Sequence, residues 1–172
     1  MNELNPEKCI ELLTEAGCSD EVIKHSICVR DLAIEIAKKA KADLKTVEIG
    51  ALLHDIGRSK THGIYHAVEG ANIAEKKKLP NKIIKIIERH IGAGISKKTA
   101  EKLGLPSKNY IPKTLEEKIV CHADNLIDNC EKQKIENEIN EALEKNQTEY
   151  ALRLRKLHDE LSEICGIDLN YL

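Results

Sequence analysis

Along most of this chain the apolar residues recur every three or four positions, and no stretch alternates apolar with polar at a period of two. Such a pattern draws one apolar stripe down each of a series of helices and leaves no face for a sheet. Between 148 and 164, for instance, Tyr150, Leu154, Leu157, Leu161 and Ile164 fall at i, i+4, i+7, i+11 and i+14. The residue types narrow the core further. There is no Phe and no Trp, and 33% of the residues are charged, so the interior must be Ile, Leu, Val and Ala, a mixture that favours helices. The expectation is an all-α bundle. At 172 residues it is most simply a single domain, 1–172, with a core over 19–130 and a helical extension over 131–172 packed on it.

Start and stop signals divide the chain. Pro6 and Gly17 bound a first helix. Ser19 caps a long second one, with Asp20 and Glu21 at its positive end and Lys38, Lys39 and Lys41 at its close. Asp43 caps a helix over 44–56, a polar loop covers 57–63, and helices follow over 65–77 and 81–90, the latter stopped by Gly92 and Gly94. Ser96 caps a short helix, a loop with two prolines spans 104–112, and Thr114 with Glu117 forms a capping box for the next helix. Two amphipathic helices, 131–145 and 148–164, complete the chain.

The run Ala51-Leu52-Leu53-His54-Asp55-Ile56-Gly57-Arg58 is the centre of this plan. It seats an adjacent histidine and aspartate at the end of an apolar helix, where two groups that are hard to bury need a compensating partner such as a divalent cation. His25, His66, His90 and Asp124 stand on or at the ends of other helices whose remaining residues look like core. Imidazole and carboxylate together suit Mn, Fe, Co, Ni or Zn better than Ca. Four such ligands could hold one ion and six could hold two, with Asp55 the natural bridge. His62 is read as a loop residue, His122 as structural and His158 as incidental.

The order His25, His54-Asp55, Asp124 resembles the H…HD…D signature of the HD-domain metal-dependent phosphohydrolases, over roughly 25–128. The segments around His66 and His90 resemble those that add a second metal in binuclear members, such as the HD-type diadenosine tetraphosphate hydrolases and the HD-GYP phosphodiesterases. The chain is also similar to small archaeal HD-domain proteins. The resemblance implies an HD-domain helical bundle with the metal site in its core, holding one or two divalent transition ions on His25, His54, Asp55, His66, His90 and Asp124. It implies a hydrolase acting on a phosphoester or phosphoanhydride of a nucleotide, dinucleotide or other phosphorylated small molecule. Metal-activated hydroxide would do the chemistry at Asp55, and Arg58, with Lys60 and His62, would contact the substrate phosphate. The GYP tripeptide is absent and Arg89 precedes His90, so cyclic-di-GMP is not the expected substrate. The alternative is a non-catalytic nucleotide-binding or regulatory HD module, tied to RNA modification.

Charge and cysteines set the remaining expectations. The net charge of −2 gives no nucleic-acid signature. Nine basic residues lie between Lys76 and Lys102, against Glu88 and Glu101. They read equally as a solvated face or as an anion-attracting one. No apolar run reaches membrane length and no signal peptide opens the chain, which points to the cytoplasm and to no membrane partner. The 148–164 stripe leaves a homodimer open. Six cysteines without a CxxC pair read as free thiols. The weight on Lys, Glu and Ile has a thermophilic cast in which one disulfide is admissible, with no particular pair favoured.

Overall fold

The computed structural model describes residues 4–172. Among them the α-helices are α1 Pro6–Ala16, α2 Asp20–Ala40, α3 Leu44–Leu53, α4 His66–Lys76, α5 Asn81–Arg89, α6 Lys97–Lys102, α7 Leu115–Asn125, α8 Ile135–Glu144 and α9 Thr148–Cys165. The expected all-α architecture is borne out, and the start signals at Ser19, Asp43, Ser96 and Thr114 act as read, each accepting a backbone N–H three residues on and satisfying donors that the first turn leaves free. Asn5, which the sequence reading did not single out, caps the first helix in the same way. The capping box is completed one residue early: Glu117 Oε2 accepts from Lys113 N at 2.7 Å.

Helix α3 is the hub. Seven of its ten residues are buried, Val47, Ala51 and Leu53 completely, as expected for a helix apolar on every side. It packs against α1, α2, α5 and α7. Helices α8 and α9 pair with each other, and α9 lies on α2 and α7. One hydrophobic cluster of aliphatic side chains runs from Cys9 to Leu169, and a smaller one gathers Ile95, Ala100, Leu105 and Tyr110.

Three expectations need correction. The first helix of the central run ends at Leu53, and Ile56–Ser59 forms a 3-10 turn in place of open loop. Strands β1 Ile127–Asp128 and β2 Glu131–Lys132 pair antiparallel where helix was expected, so α8 begins only at Ile135. Asn129 and Cys130 adopt left-handed φ of 47° and 63°, and Asp-Asn is a sequence that turns readily. Finally, Cys28 of α2 is disulfide-bonded to Cys130, with Cα atoms 5.4 Å apart. Cys9, Cys18, Cys121 and Cys165 are free. Residues 102 positions apart were brought together by packing that local sequence does not encode.

Candidate metal centre

Six side chains meet where the ends of α3 and α5, the start of α4 and the bodies of α2 and α7 converge. His54 and His90 are the residues that follow α3 and α5. The last carbonyls of a helix lack a helical N–H partner, and each imidazole uses one: His54 Nδ1 donates to Ala51 O and His90 Nδ1 to Ile87 O, both at 2.7 Å. His66, first residue of α4, donates from Nδ1 to Gly63 O at 2.8 Å. In all three the backbone fixes the tautomer, so the Nε2 lone pair points into the centre.

Those lone pairs meet no N–H or O–H donor. His66 Nε2 and His90 Nε2 face each other at 2.9 Å, which is repulsive unless a proton or a cation lies between them. Both stand near Asp55 Oδ1, at 3.2 and 3.4 Å. The other carboxylate oxygen of Asp55 lies 3.6 Å from His54 Nε2 and 3.9 Å from His25 Nε2. Asp124 Oδ1 is 3.4 Å from His54 Nε2 and 2.9 Å from His25 Nε2. His54 Nε2 and Asp55 Oδ1 are buried without a hydrogen-bond partner, an expensive state that a cation would relieve. Separations of about 3.0–3.5 Å are what ligands share on one ion at bond lengths near 2.1 Å. The donor set therefore fits a divalent cation. Ligand-capable atoms lie within reach of one another in three overlapping groups: His25, His54 and Asp55; His54, His90 and Asp124; and Asp55, His66 and His90.

The electrostatics express the same demand. Burial disfavours charge on His54, yet the carboxylates of Asp55 and Asp124 overcome it and raise its pKa to about 9. Burial pushes the Asp55 and Asp124 carboxyls up. The His54 charge and the neighbouring imidazole hydrogen bonds outweigh that and hold both well below the usual carboxylate range. Burial keeps His90 below the ordinary histidine value.

Above the centre opens a cavity of about 520 Å³, lined by His25, Asp55, Arg58 and His62 among others. Arg58 donates from Nε to Asp55 Oδ2 at 2.6 Å, and its Nη1 reaches His62 O at 3.4 Å. Lys60 is exposed and lies outside the lining. Glu21, Lys24, Asp128, Asn129 and Cys130 also line the cavity and were not anticipated, because only the fold brings the hairpin beside α2. Four of the nine basic residues between 76 and 102 are paired with carboxylates: Lys77 with Glu15, Lys82 with Asp43, Lys85 with Glu88 and Arg89 with Glu117. His122 points away from the centre, to His158 Nδ1 at 3.0 Å, and His158 Nε2 reaches Asp168 at 3.0 Å. His158 is therefore not incidental: it ties α7 to the C-terminal residues.

The HD-domain family model matches residues 22–128. This chain belongs to the HD-domain family. Two tRNA (cytidine(56)-2'-O)-methyltransferases, from Picrophilus torridus and Thermoplasma volcanium, are each 45% identical to it over 95% and 94% of its length, and it covers 48% of each. An uncharacterized protein of Methanocaldococcus jannaschii is 44% identical over 92% of this chain and 91% of its own length. The chain thus spans about half the length of the first two relatives. The HD domain of the Listeria monocytogenes phosphodiesterase PgpH superposes with a TM-score of 0.55 over 92% of this chain and 97% of that one, at 18% identity, which shows the fold.

These relatives correct three expectations. The phosphohydrolase reading, and the assignment as a hydrolytic enzyme, give way because relatives at 45% identity are transferases acting on RNA. The physical reason is that the His/Asp set specifies a cation and leaves the reaction open. The absence of a nucleic-acid partner is corrected by the same names: a net charge of −2 is a sum over a chain that matches only half of those proteins. Divalent metal binding is supported by the family and by the clusters. No helix among the described residues is long and apolar enough to cross a membrane.

Proposed function

We propose that this chain is a metal-binding HD module that serves tRNA 2'-O-methylation, holding a nucleotide or an RNA phosphate over a divalent centre without turning it over. The observation that carries this reading is the match of 94–95% of the chain to one half of two tRNA 2'-O-methyltransferases. The cavity supports the binding role, since about 520 Å³ falls within the usual range for small-molecule sites.

His25, His54 and Asp124 would hold one ion together with one oxygen of Asp55, and His66 and His90 would hold a second with the other oxygen. Mixed imidazole and carboxylate ligands favour Mn, Fe, Co, Ni or Zn. A bound divalent ion supplies positive charge that neutralises a phosphate oxygen. The chain's own groups do the rest. Arg58 presents a planar fork of donors to a second phosphate oxygen, His62 closes the same side, and the backbone carbonyls behind His54, His66 and His90 keep the imidazoles in register. We place the module core at 19–130, with 131–172 packed on it.

The test combines metal analysis with fluorescence anisotropy on a labelled tRNA transcript and on AMP, with and without Mn²⁺. Metal-dependent binding is expected, weakened in Arg58→Ala by about ten- to a hundredfold, the value of a hydrogen bond to a charged group. A protein that takes up no divalent ion after reloading would defeat the proposal. So would one that binds neither probe, or one that hydrolyses AMP or the transcript.

A further inference from the structure

The hairpin at 127–132 forms part of the wall of the cavity, where Ile127, Asp128, Asn129 and Cys130 share the lining with His25 and Asp55. It is a weak element by itself. Two residue pairs make up its ladder, Ile127 with Lys132 and Asp128 with Glu131, and a two-stranded ribbon of that size is marginal in water. Its turn places two non-glycine residues, Asn129 and Cys130, in the left-handed region, which disfavours the turn further. The base is anchored: Gln133 N donates to Leu126 O at 2.8 Å, its side chain to Asn125 O at 3.0 Å, and Lys132 Nζ to Leu172 O at 2.6 Å. The tip is exposed at Asp128, Asn129 and Glu131. Strand β1 packs against α2 through its base, and the covalent tie of the tip to α2 is the bond from Cys130 to Cys28, one helical turn beyond His25. Both cysteines are half-buried, within reach of a reagent in solution.

We propose that the Cys28–Cys130 disulfide is a redox latch on the wall of the metal-centre cavity. Oxidised, it clamps the hairpin tip to α2 beside His25. A dithiol reductant opens it by two successive exchanges: the first thiolate attacks one sulfur and releases the other as a thiolate that takes a proton. The reductant's second thiolate then attacks its own sulfur in the mixed disulfide and expels the remaining protein sulfur as a thiolate, which takes a proton. The sulfur–sulfur bond is broken, two protein thiols form, two electrons have passed to the protein, and the reductant leaves as its own disulfide. The tip then swings on the anchored base and exposes the cavity floor. Access to the cavity changes whatever ligand occupies it, so this inference stands apart from the proposed function.

The experiment uses the full chain as purified, its metal content measured alongside. Thiols are first counted under denaturing, non-reducing conditions. Carbethoxylation of His25 by diethyl pyrocarbonate and hydrogen exchange of amides 128–131 are then followed by peptide mass spectrometry, before and after dithiothreitol, with circular dichroism confirming that the helices persist. Four free thiols, and a rise of about tenfold in both rates on reduction, are expected for a locally opened segment. Cys130→Ser should show the faster rates without reductant and no response to it. Should that variant not fold, reduction of the wild-type chain below its melting temperature supplies the same readout. Six free thiols at the start would overturn the latch. So would a His25 rate unchanged within about twofold after complete reduction, which would leave the bond as a staple only.

Discussion

Replacing Gly57 with alanine should disassemble half of the centre without touching a ligand. The 3-10 turn that follows Asp55 runs against the first turn of α4, backbone on backbone. A Cβ on Gly57 would lie 1.8 Å from His66 O, 2.5 Å from Gly70 N and 2.8 Å from His66 C. A carbon–oxygen contact needs about 3.2 Å, so the two segments must separate by roughly 1.4 Å. No side chain can rotate to absorb this, because every near atom is main chain. His66 is carried on the segment that moves, and its Nε2 stands 3.2 Å from Asp55 Oδ1, whereas metal sites tolerate about 0.2 Å in ligand distance. Overpacking of this kind costs about 3 kcal/mol, which for a chain of this length is roughly 6–12 °C in Tm. Calorimetric melting and metal analysis of reloaded protein should show that drop and the loss of about one ion per chain. Gly63→Ala is the control: its nearest neighbour would be Thr61 Oγ1 at 3.9 Å, and both quantities should stay at wild-type values. A Gly57→Ala protein with unchanged Tm and metal content would show that this close approach does not seat His66.

Asp55→Asn should reduce metal uptake more than Asp124→Ala, because Asp55 enters two of the three ligand groups and Asp124 one; isothermal titration with Zn²⁺ separates the two. Cys28→Ser should lower stability by at most about 4.7 kcal/mol, the chain-entropy value for a loop of roughly 100 residues, read as the shift in urea midpoint against the oxidised wild type. The backbone N–H of Asn170, and then His158, hold the Asp168 carboxyl below its ordinary range. Its contribution to stability is therefore complete above the unfolded carboxylate pKa of about 3.9 and is lost as pH falls through the depressed value. Asp168→Asn should lower Tm at pH 7 and flatten its decline below about pH 4, as followed by thermal melts across pH.

The helices and most of their boundaries were legible because their causes are local. Apolar residues at helical spacing, Ser19, Asp43, Ser96 and Thr114 as caps, and Gly17 as a stop act within a few residues of themselves. The six polar residues could be collected in order, since each interrupts an otherwise apolar helix or its end. Their chemistry was less legible: a ring of imidazoles and carboxylates describes the cation it can hold, and the reading as a phosphohydrolase went further than the ligands warrant. The Cys28–Cys130 pair and the His122–His158–Asp168 chain had no local signal, because they join segments that meet only when the helices dock, and the hairpin's Asp-Asn turn was overridden by the helical pattern read on either side of it.

From its sequence alone this chain determined that it would be helical, aliphatic in its core and furnished with donors for a divalent ion, because periodicity, capping and side-chain type are properties of short stretches. The tertiary structure alone decided that His25 and Asp124, 99 residues apart, should stand 2.9 Å from one another, and that Cys130 should close the wall beside them. Such proximities depend on how whole helices pack, and no local pattern carries that information.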